Sequence, residues 1–195
     1  MNMEGNFSSR KTIEKGIIIE TRRLFLRELK YEDVEDLHII FSDQQSMKHY
    51  PRPFTLQETN NWIHWNLKNY AEFGFGLWGV VLKENNKLIG DCGITMQNIN
   101  GIMEPEIGYH INKNYINNGY ATEAAQACRN YSFEVLKLRK IYSYMKHKNL
   151  ASIKVAVKNG MKLIDETKDK KNGKTRIYAI TLDEYQTKHV NRMVV

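Results

Sequence analysis

YINNGYATEAAQ, residues 115–126, decides how this chain is read. Asn117, Asn118 and Gly119 are poor helix formers, yet the residues after them repeat small side chains at helical spacing: Ala121, Ala124, Ala125, Cys128 and Ser132, then Val135 and Leu136. A stripe that narrow lets a helix lie close against a sheet. The start of such a helix presents unpaired N–H groups and the positive end of the macrodipole, so an anion such as a pyrophosphate fits there without a charged side chain. Gly119 permits close approach of a ligand, and Ala121 does not obstruct it.

Outward from this stretch the chain alternates strands and helices. Glu106–Ile111 (EIGYHI) precedes it as a strand; Lys140–Lys146 follows as another, with a short helix Ala151–Asn159 ended by Gly160 in the left-handed conformation. A final hairpin has arms Met161–Thr167 and Thr175–Leu182, with Asn172-Gly173 as its reversal signal. Upstream, Ile17–Leu29 alternates like one strand, and Tyr31–Phe41 takes helical spacing through Val34, Leu37 and Phe41. Pro51 and Pro53 break the chain, after which Thr55 and Glu58 make a capping box for a helix running to about Phe73. Trp78–Glu84 and Leu88–Met96 form a hairpin, in which Gly90 and Gly93 mark bulges or close backbone contacts. The expected architecture is α/β in the mixed α+β sense: a largely antiparallel sheet flanked by helices, parallel where a strand, a helix and a strand surround Gly119.

Composition bounds the function. The 195 residues and 42% hydrophobic content suit one compact domain, 16–186, with a polar arm at 1–15 and a tail at 187–195. No apolar run is long enough to span a bilayer, and MNMEGNFSSRKTIEKG lacks the core of a secretory signal, so a cytoplasmic protein that does not engage a membrane is expected. Cys92 and Cys128 have no zinc-type spacing; they are expected to be buried reduced thiols, and no metal site is expected. The net charge of +7 leaves nucleic acid, acidic lipid or a phosphorylated ligand as partners. Much of the excess lies in KLRKIYSYMKHKN and KDKKNGK rather than on one helix face, and no aromatic platform accompanies it, so no nucleic acid is expected.

The order EIGYHI, NNGYATEA, helix, strand, then Asn149 to Ser152 and Lys158 to Gly160, closely resembles the GNAT superfamily of acyl-CoA-dependent N-acetyltransferases. The opening ETRRLFLREL and the strand LIGDCGI resemble the branch of ribosomal-protein N-terminal (RimJ/RimL-like) acetyltransferases. The resemblance spans roughly Ile17 to Tyr185. It implies acetyl-CoA as co-substrate and direct attack by a primary amine in a ternary complex. A protein N-terminal α-amine is the expected acceptor, with a polyamine or aminoglycoside-type antibiotic, or a catalytically silent acyl-CoA-binding module, as alternatives. The assembly implied is a monomer or a homodimer.

The family's pyrophosphate loop begins with Gln or Arg, then has two free positions, Gly, one free position and Gly or Ala. It falls on Ile116 to Ala121, where Gly119 and Ala121 match and Ile116 departs. The resemblance therefore assigns Asn117, Asn118, Gly119, Tyr120, Ala121 and Thr122 to the phosphates, and Tyr109, His110 and Ile111 to the pantetheine arm. One N–H of that strand is also implied as an oxyanion donor. Asn149 matches a residue touching the pantetheine, and Ser152 one near the cofactor sulfur. Seven residues past Asn149, where many members carry a Tyr that protonates the thiolate, this chain has Ala156, so Ser152 or a water inherits that role. For deprotonating the amine, Glu106 is the first candidate because Glu106, Gly108 and His110 share a strand face; Glu104, His110 and Asp91 come behind it. Trp62, Trp65 and Trp78 read as core or pocket wall, His49 and Tyr50 as substrate-facing loop residues, and the C-terminal lysines as possible partners of the 3′-phosphate.

Overall fold

The structure, a computed structural model, describes residues 16–169 and 173–193. The expected arm at 1–15, together with Lys170, Lys171 and Asn172 of the last reversal, lies outside the described residues. Among the described residues eight strands form one sheet in the order β1-β2-β3-β4-β5-β6-β8-β7. They are β1 (Ile17–Glu20), β2 (Leu24–Arg27), β3 (Leu77–Leu82), β4 (Leu88–Ile99), β5 (Ile102–Ile111), β6 (Lys140–Lys146), β7 (Lys162–Asp169) and β8 (Gly173–Thr181). Every neighbouring pair is antiparallel except β5 and β6. The mixed, largely antiparallel sheet read from the sequence is thus present.

Among the described residues five α-helices flank it: α1 (Val34–Phe41), α2 (Leu56–Phe73), α3 (Tyr120–Glu134), α4 (Leu150–Lys158) and α5 (Leu182–Met193). The Thr55 hydroxyl accepts from the Glu58 N–H at 3.2 Å while the Glu58 carboxylate accepts from the Thr55 N–H at 2.8 Å, so the expected capping box starts α2. Gly74, at φ +76°, ends it. The α3 stripe buries Ala124, Ala125, Cys128 and Ser132 against Trp78, Cys92, Ile94 and Ile107. On the opposite face α1 and α2 bury Leu37, Ile40, Phe41 and Ile63 against Leu29, Val81 and Leu88. Gly93 is a close backbone contact, as its spacing suggested: a Cβ there would stand 2.0 Å from the Gly76 carbonyl oxygen. No helix among the described residues is long and apolar enough to cross a membrane.

Several expectations change. Ile17–Leu29 is not one strand but the antiparallel pair β1 and β2, because Thr21 turns the chain: its N–H donates to the Leu24 carbonyl at 2.9 Å and its hydroxyl accepts from the Leu24 N–H at 2.9 Å. Val135 leaves the α3 stripe and is exposed, since the helix ends at Glu134, and Phe133 takes a buried place instead. Strand β5 starts at Ile102, four residues before Glu106. Asn100 (φ +54°) and Gly101 (φ +90°) reverse the chain in two residues, and β4 pairs with β5 all the way from Ile99↔Ile102 to Gly90↔Ile111. Glu106 is therefore in the middle of a strand rather than at its start. Past β8 the chain enters α5 directly, and its described part is helical across residue 186.

Candidate active site

The sheet opens where its one parallel pair meets. Strands β5 and β6 share a single bridge, Glu106 opposite Tyr142, whereas β4 pairs with β5 along ten positions. From Ile107 to Ile111 the outer edge of β5 has no ladder partner among the described residues, the geometry into which an extended ligand can add like a strand. Tyr109, His110 and Ile111 line that edge. The Tyr109 hydroxyl donates to the Ser152 carbonyl oxygen at 3.1 Å, tying the free edge of β5 to the first turn of α4. Burial holds the Tyr109 phenol well above its usual pKa.

The stretch at 115–126 closes one end of this opening. Asn117 (φ +64°) and Gly119 (φ +82°) are both left-handed, and Gly119 is the N-cap of α3. Left-handed residues in such a turn bring backbone N–H groups together in the manner of anion-binding nests. The Asn118 side chain braces the turn through the Tyr115 and Ile116 carbonyls, at 3.3 and 3.2 Å. Ile116 contributes no charge and is about half exposed. A cation nonetheless stands beside the loop. Arg23, from the β1–β2 turn, lies 4.4 Å over the Tyr120 ring, and its Nη2 is 3.5 Å from where a Cβ on Gly119 would be. Glu123 in the first turn of α3 fixes it, accepting from the Arg23 Nε at 2.7 Å, the Arg23 N–H at 2.9 Å and the Thr21 hydroxyl at 2.7 Å. Sequence reasoning missed Arg23, which lies 96 positions before Gly119 and within an apparent strand.

The other end is α4. The Asn149 Oδ1 accepts from the Ser152 N–H at 3.2 Å and so caps the helix, committing the amide oxygen to the fold. Ser152 is half-buried in the first turn, and Ala156 faces the core.

On the sheet face that carries Glu106, Gly108 and His110, the His110 ring packs against Phe41 of α1, Trp62 of α2 and Tyr50 of the segment between those helices. One Glu106 oxygen accepts from the Tyr144 N–H of β6 at 3.2 Å; burial pushes its carboxyl up to about 8. A carboxyl so placed takes up and releases a proton near neutral pH. Asp91, wholly buried, accepts from the His110 N–H at 3.1 Å, the His110 Nδ1 at 2.8 Å and the Trp62 Nε1 at 2.8 Å. The His110 Nε2 is 2.7 Å from the Tyr50 hydroxyl. Tyr50, in the segment between α1 and α2, thus meets His110 of β5. Burial, followed by the charges of Lys48 and Lys146, lowers the pKa of His49. Glu104 is engaged elsewhere, accepting from the Tyr142 hydroxyl at 2.9 Å. Trp78 is core; Trp62 is both wall and hydrogen-bond donor.

The sheet thus parts at its parallel pair β5 and β6, with the start of α3 at one end of the gap and the start of α4 at the other. The chain belongs to the GNAT family: the family profile described as "Acetyltransferase (GNAT) domain" matches residues 23–162. It is 35% identical over 142 residues to the Bacillus subtilis (strain 168) protein YkkB, covering 72% of this chain and 83% of that one. Identity to the N-acetyltransferase YnaD of the same organism is 34% over 145 residues, covering 74% and 82%. The crystal structure of a GNAT-family acetyltransferase from Bacillus anthracis superposes with a TM-score of 0.73 at 31% identity, covering 85% of this chain and 98% of that one. A ribosomal L7/L12 alpha-N-protein acetyltransferase, RimL, in complex with coenzyme A shares the fold with a TM-score of 0.71 at 19% identity, over 86% and 99% of the two chains. The protein is accordingly an N-acetyltransferase, and transfer of an acetyl group to an amine is the general chemistry of its family.

Proposed function

We propose that the protein acetylates the α-amine of a protein N-terminus, using acetyl-CoA and direct attack while both substrates are bound. The observation that carries this reading is Glu106: a carboxyl raised to about 8, on the strand beside the sheet opening. A peptide α-amine has a reference pKa of about 8 and a lysine-type amine about 10.4, so proton transfer to this group is nearly balanced for the former and uphill for the latter.

Acetyl-CoA, when bound, supplies an activated carbonyl and a thiol leaving group. The nest at Asn117 to Thr122 fits its phosphates through backbone N–H groups, with Arg23 adding the cation that Ile116 does not. The free β5 edge from Tyr109 to Ile111, with Asn149 at its far side, fits the extended arm, and one N–H there serves the carbonyl oxygen. Glu106 takes a proton from the ammonium. After attack the nitrogen still carries the proton it must lose to become an amide, and Ser152, or a water held by it, passes that proton to the departing sulfur, since Ala156 has nothing to donate. The free thiols of Cys92 and Cys128, with sulfurs 3.6 Å apart and unjoined, suit the reducing cytoplasm.

The test is CoA release with a panel of acceptors: peptides with free α-amines, spermidine and an aminoglycoside. Peptides should be the best acceptors and should stay so when their lysines are blocked. A preference for spermidine or the aminoglycoside overturns the assignment of acceptor.

A further inference from the structure

The positive charge of the chain is unevenly placed. Strand β6 lies within the basic stretch KLRKIYSYMKHKN. The Tyr142 hydroxyl donates to the Glu104 Oε1 at 2.9 Å, and the Lys140 ammonium stands 4.6 Å over the Tyr142 ring, so both side chains lie on the sheet face that carries Glu104 and Glu106. Side chains alternate along a strand, which puts Tyr144 and Lys146 on that face as well. Ile141 and Met145 point the other way, into the core that also holds Ala124 and Ala125 of α3.

Half-buried Lys146 stands close to Glu106. The Tyr144 N–H that donates to the Glu106 carboxyl belongs to the residue two positions earlier, and two strand residues span about 6–7 Å. His110 on β5 and Lys146 on β6 are each four residues past the bridge of Glu106 and Tyr142, so they border the opening from its two sides. The segment between α1 and α2 meets the β5 side through Tyr50, whose hydroxyl is 2.7 Å from the His110 Nε2. Lys48, two positions before Tyr50, is exposed, and its charge and that of Lys146 both act on His49 between them. Neither lysine has a carboxylate within ion-pairing distance among the described residues, whereas Arg52, Lys113, Lys162 and Arg176 each hold one at 2.6 to 2.8 Å. The other acids of this face do not offset them: Glu104 precedes the bridge, and Asp91 is wholly buried beneath three donors.

We infer that Lys48 and Lys146 flank the entrance to Glu106 and select the acceptor by charge, so that the protein N-terminus taken by this enzyme carries Asp or Glu in the residues that follow its first. This deepens the reading of the acceptor as a peptide α-amine and rests on it. With the amine at Glu106, an extended chain advances about 3.4 Å per residue, which brings a carboxylate on its second or third residue within reach of an ammonium two strand positions past Tyr144. Attraction at the entrance is made equally in the ground state and the transition state, so it lowers KM and leaves the chemical step alone.

The test uses peptides of one length that share their first residue and continue with two glutamates, two alanines or two arginines. At low ionic strength kcat/KM should fall in that order, by about tenfold from glutamate to alanine, the size that two partly exposed ion pairs supply, with the difference carried by KM. The order should flatten at about 1 M salt, where the screening length is about 3 Å. Lys146→Glu should invert the preference between the glutamate and arginine peptides, and Lys48→Glu should weaken it, both with an unchanged Kd for acetyl-CoA. Equal KM for the glutamate and alanine peptides in the wild type overturns the inference. So does an unchanged preference in Lys146→Glu or, should that variant fail to fold, in Lys48→Glu at its exposed position. If no peptide is acetylated, the reading of the acceptor fails. Fluorescence anisotropy of the same peptides, labelled at their C-termini and titrated with the protein and CoA, then still reads the entrance, and equal affinities for the acidic and neutral chains overturn this inference by itself.

Discussion

Glu106 concentrates the competing demands on single residues. Burial raises its carboxyl to about 8, against an ordinary 4.5, so between those values the folded chain binds a proton there that the unfolded chain has released, and Glu106 acts as a base through its ionised fraction, which grows as the pH nears 8. The stability associated with neutral Glu106 is fully present below about pH 4.5 and is lost progressively as the pH rises to about 8. Glu106→Gln, permanently neutral, should match the wild type in Tm near pH 5 and exceed it near pH 9; a difference that does not vary with pH counts against the buried carboxyl. The same variant should lose about 10²-fold in turnover near neutral pH, the size of a general-base contribution, and recover as the pH passes the amine's own pKa. Wild-type turnover across the neutral range would falsify the assignment of the base. Ser152 makes a milder prediction. Ser152→Ala should lower kcat while leaving acetyl-CoA affinity intact, because its N–H, not its hydroxyl, is what Asn149 holds; a loss confined to acetyl-CoA binding would make it a positioning residue instead.

At the scale of elements, the sequence disclosed what depends on neighbours along the chain. The capping box at Thr55 and Glu58, the small-residue face of α3 and the left-handed Gly160 are local, and each stands where its residues put it. The split of residues 17–29 was hidden because a three-residue turn interrupts an otherwise unbroken alternation. The first four residues of β5 were legible in principle, since Asn100-Gly101 is a hairpin signal of the kind used at Asn172-Gly173. Arg23 and the Asp91–His110–Tyr50 chain were not, as they join residues 60 or more positions apart, with the exception of Asp91 and His110. Those two face each other only once β4 and β5 are in register. The loop before α3 offers a test at this scale. Gly119 holds φ +82° with open space where a Cβ would go, apart from Arg23 Nη2 at 3.5 Å, so strain rather than crowding limits substitution. Gly119→Ala should cost about 1–2 kcal/mol, the penalty of a left-handed residue with a Cβ. Gly119→Val, disfavoured further by its branch, should reorient the nest and weaken acetyl-CoA binding at least tenfold by calorimetry, about 1.4 kcal/mol. An unchanged Kd in the Val variant removes this loop from the cofactor site.

The whole molecule is two half-sheets, β1 to β5 and β6 to β8, joined through one parallel bridge and through the helix that connects them. The packing of α3 spans both: its buried stripe meets β4 and β5, while Phe133 stacks on Tyr185 of α5 at 4.8 Å between ring centroids. A ligand lying along the free edge of β5, with its phosphates at the α3 start and its sulfur beside α4, contacts both halves and the element between them. It should therefore act as the missing strand. At a concentration 100 times its Kd, acetyl-CoA should stabilise the protein by about 2.7 kcal/mol. For a chain of this length that corresponds to a rise in Tm of roughly 5–10 °C. The distribution of the effect is more telling than its size. Hydrogen exchange should slow most at the outward-facing amides of β5 between Ile107 and Ile111, and in the first turns of α3 and α4, while β1, β2 and the β7–β8 hairpin change little, since none of them borders the opening between β5 and β6. Protection that instead gathers on the outer strands, or a Tm that rises without any slowing along β5, would place the cofactor somewhere other than the opening of the sheet.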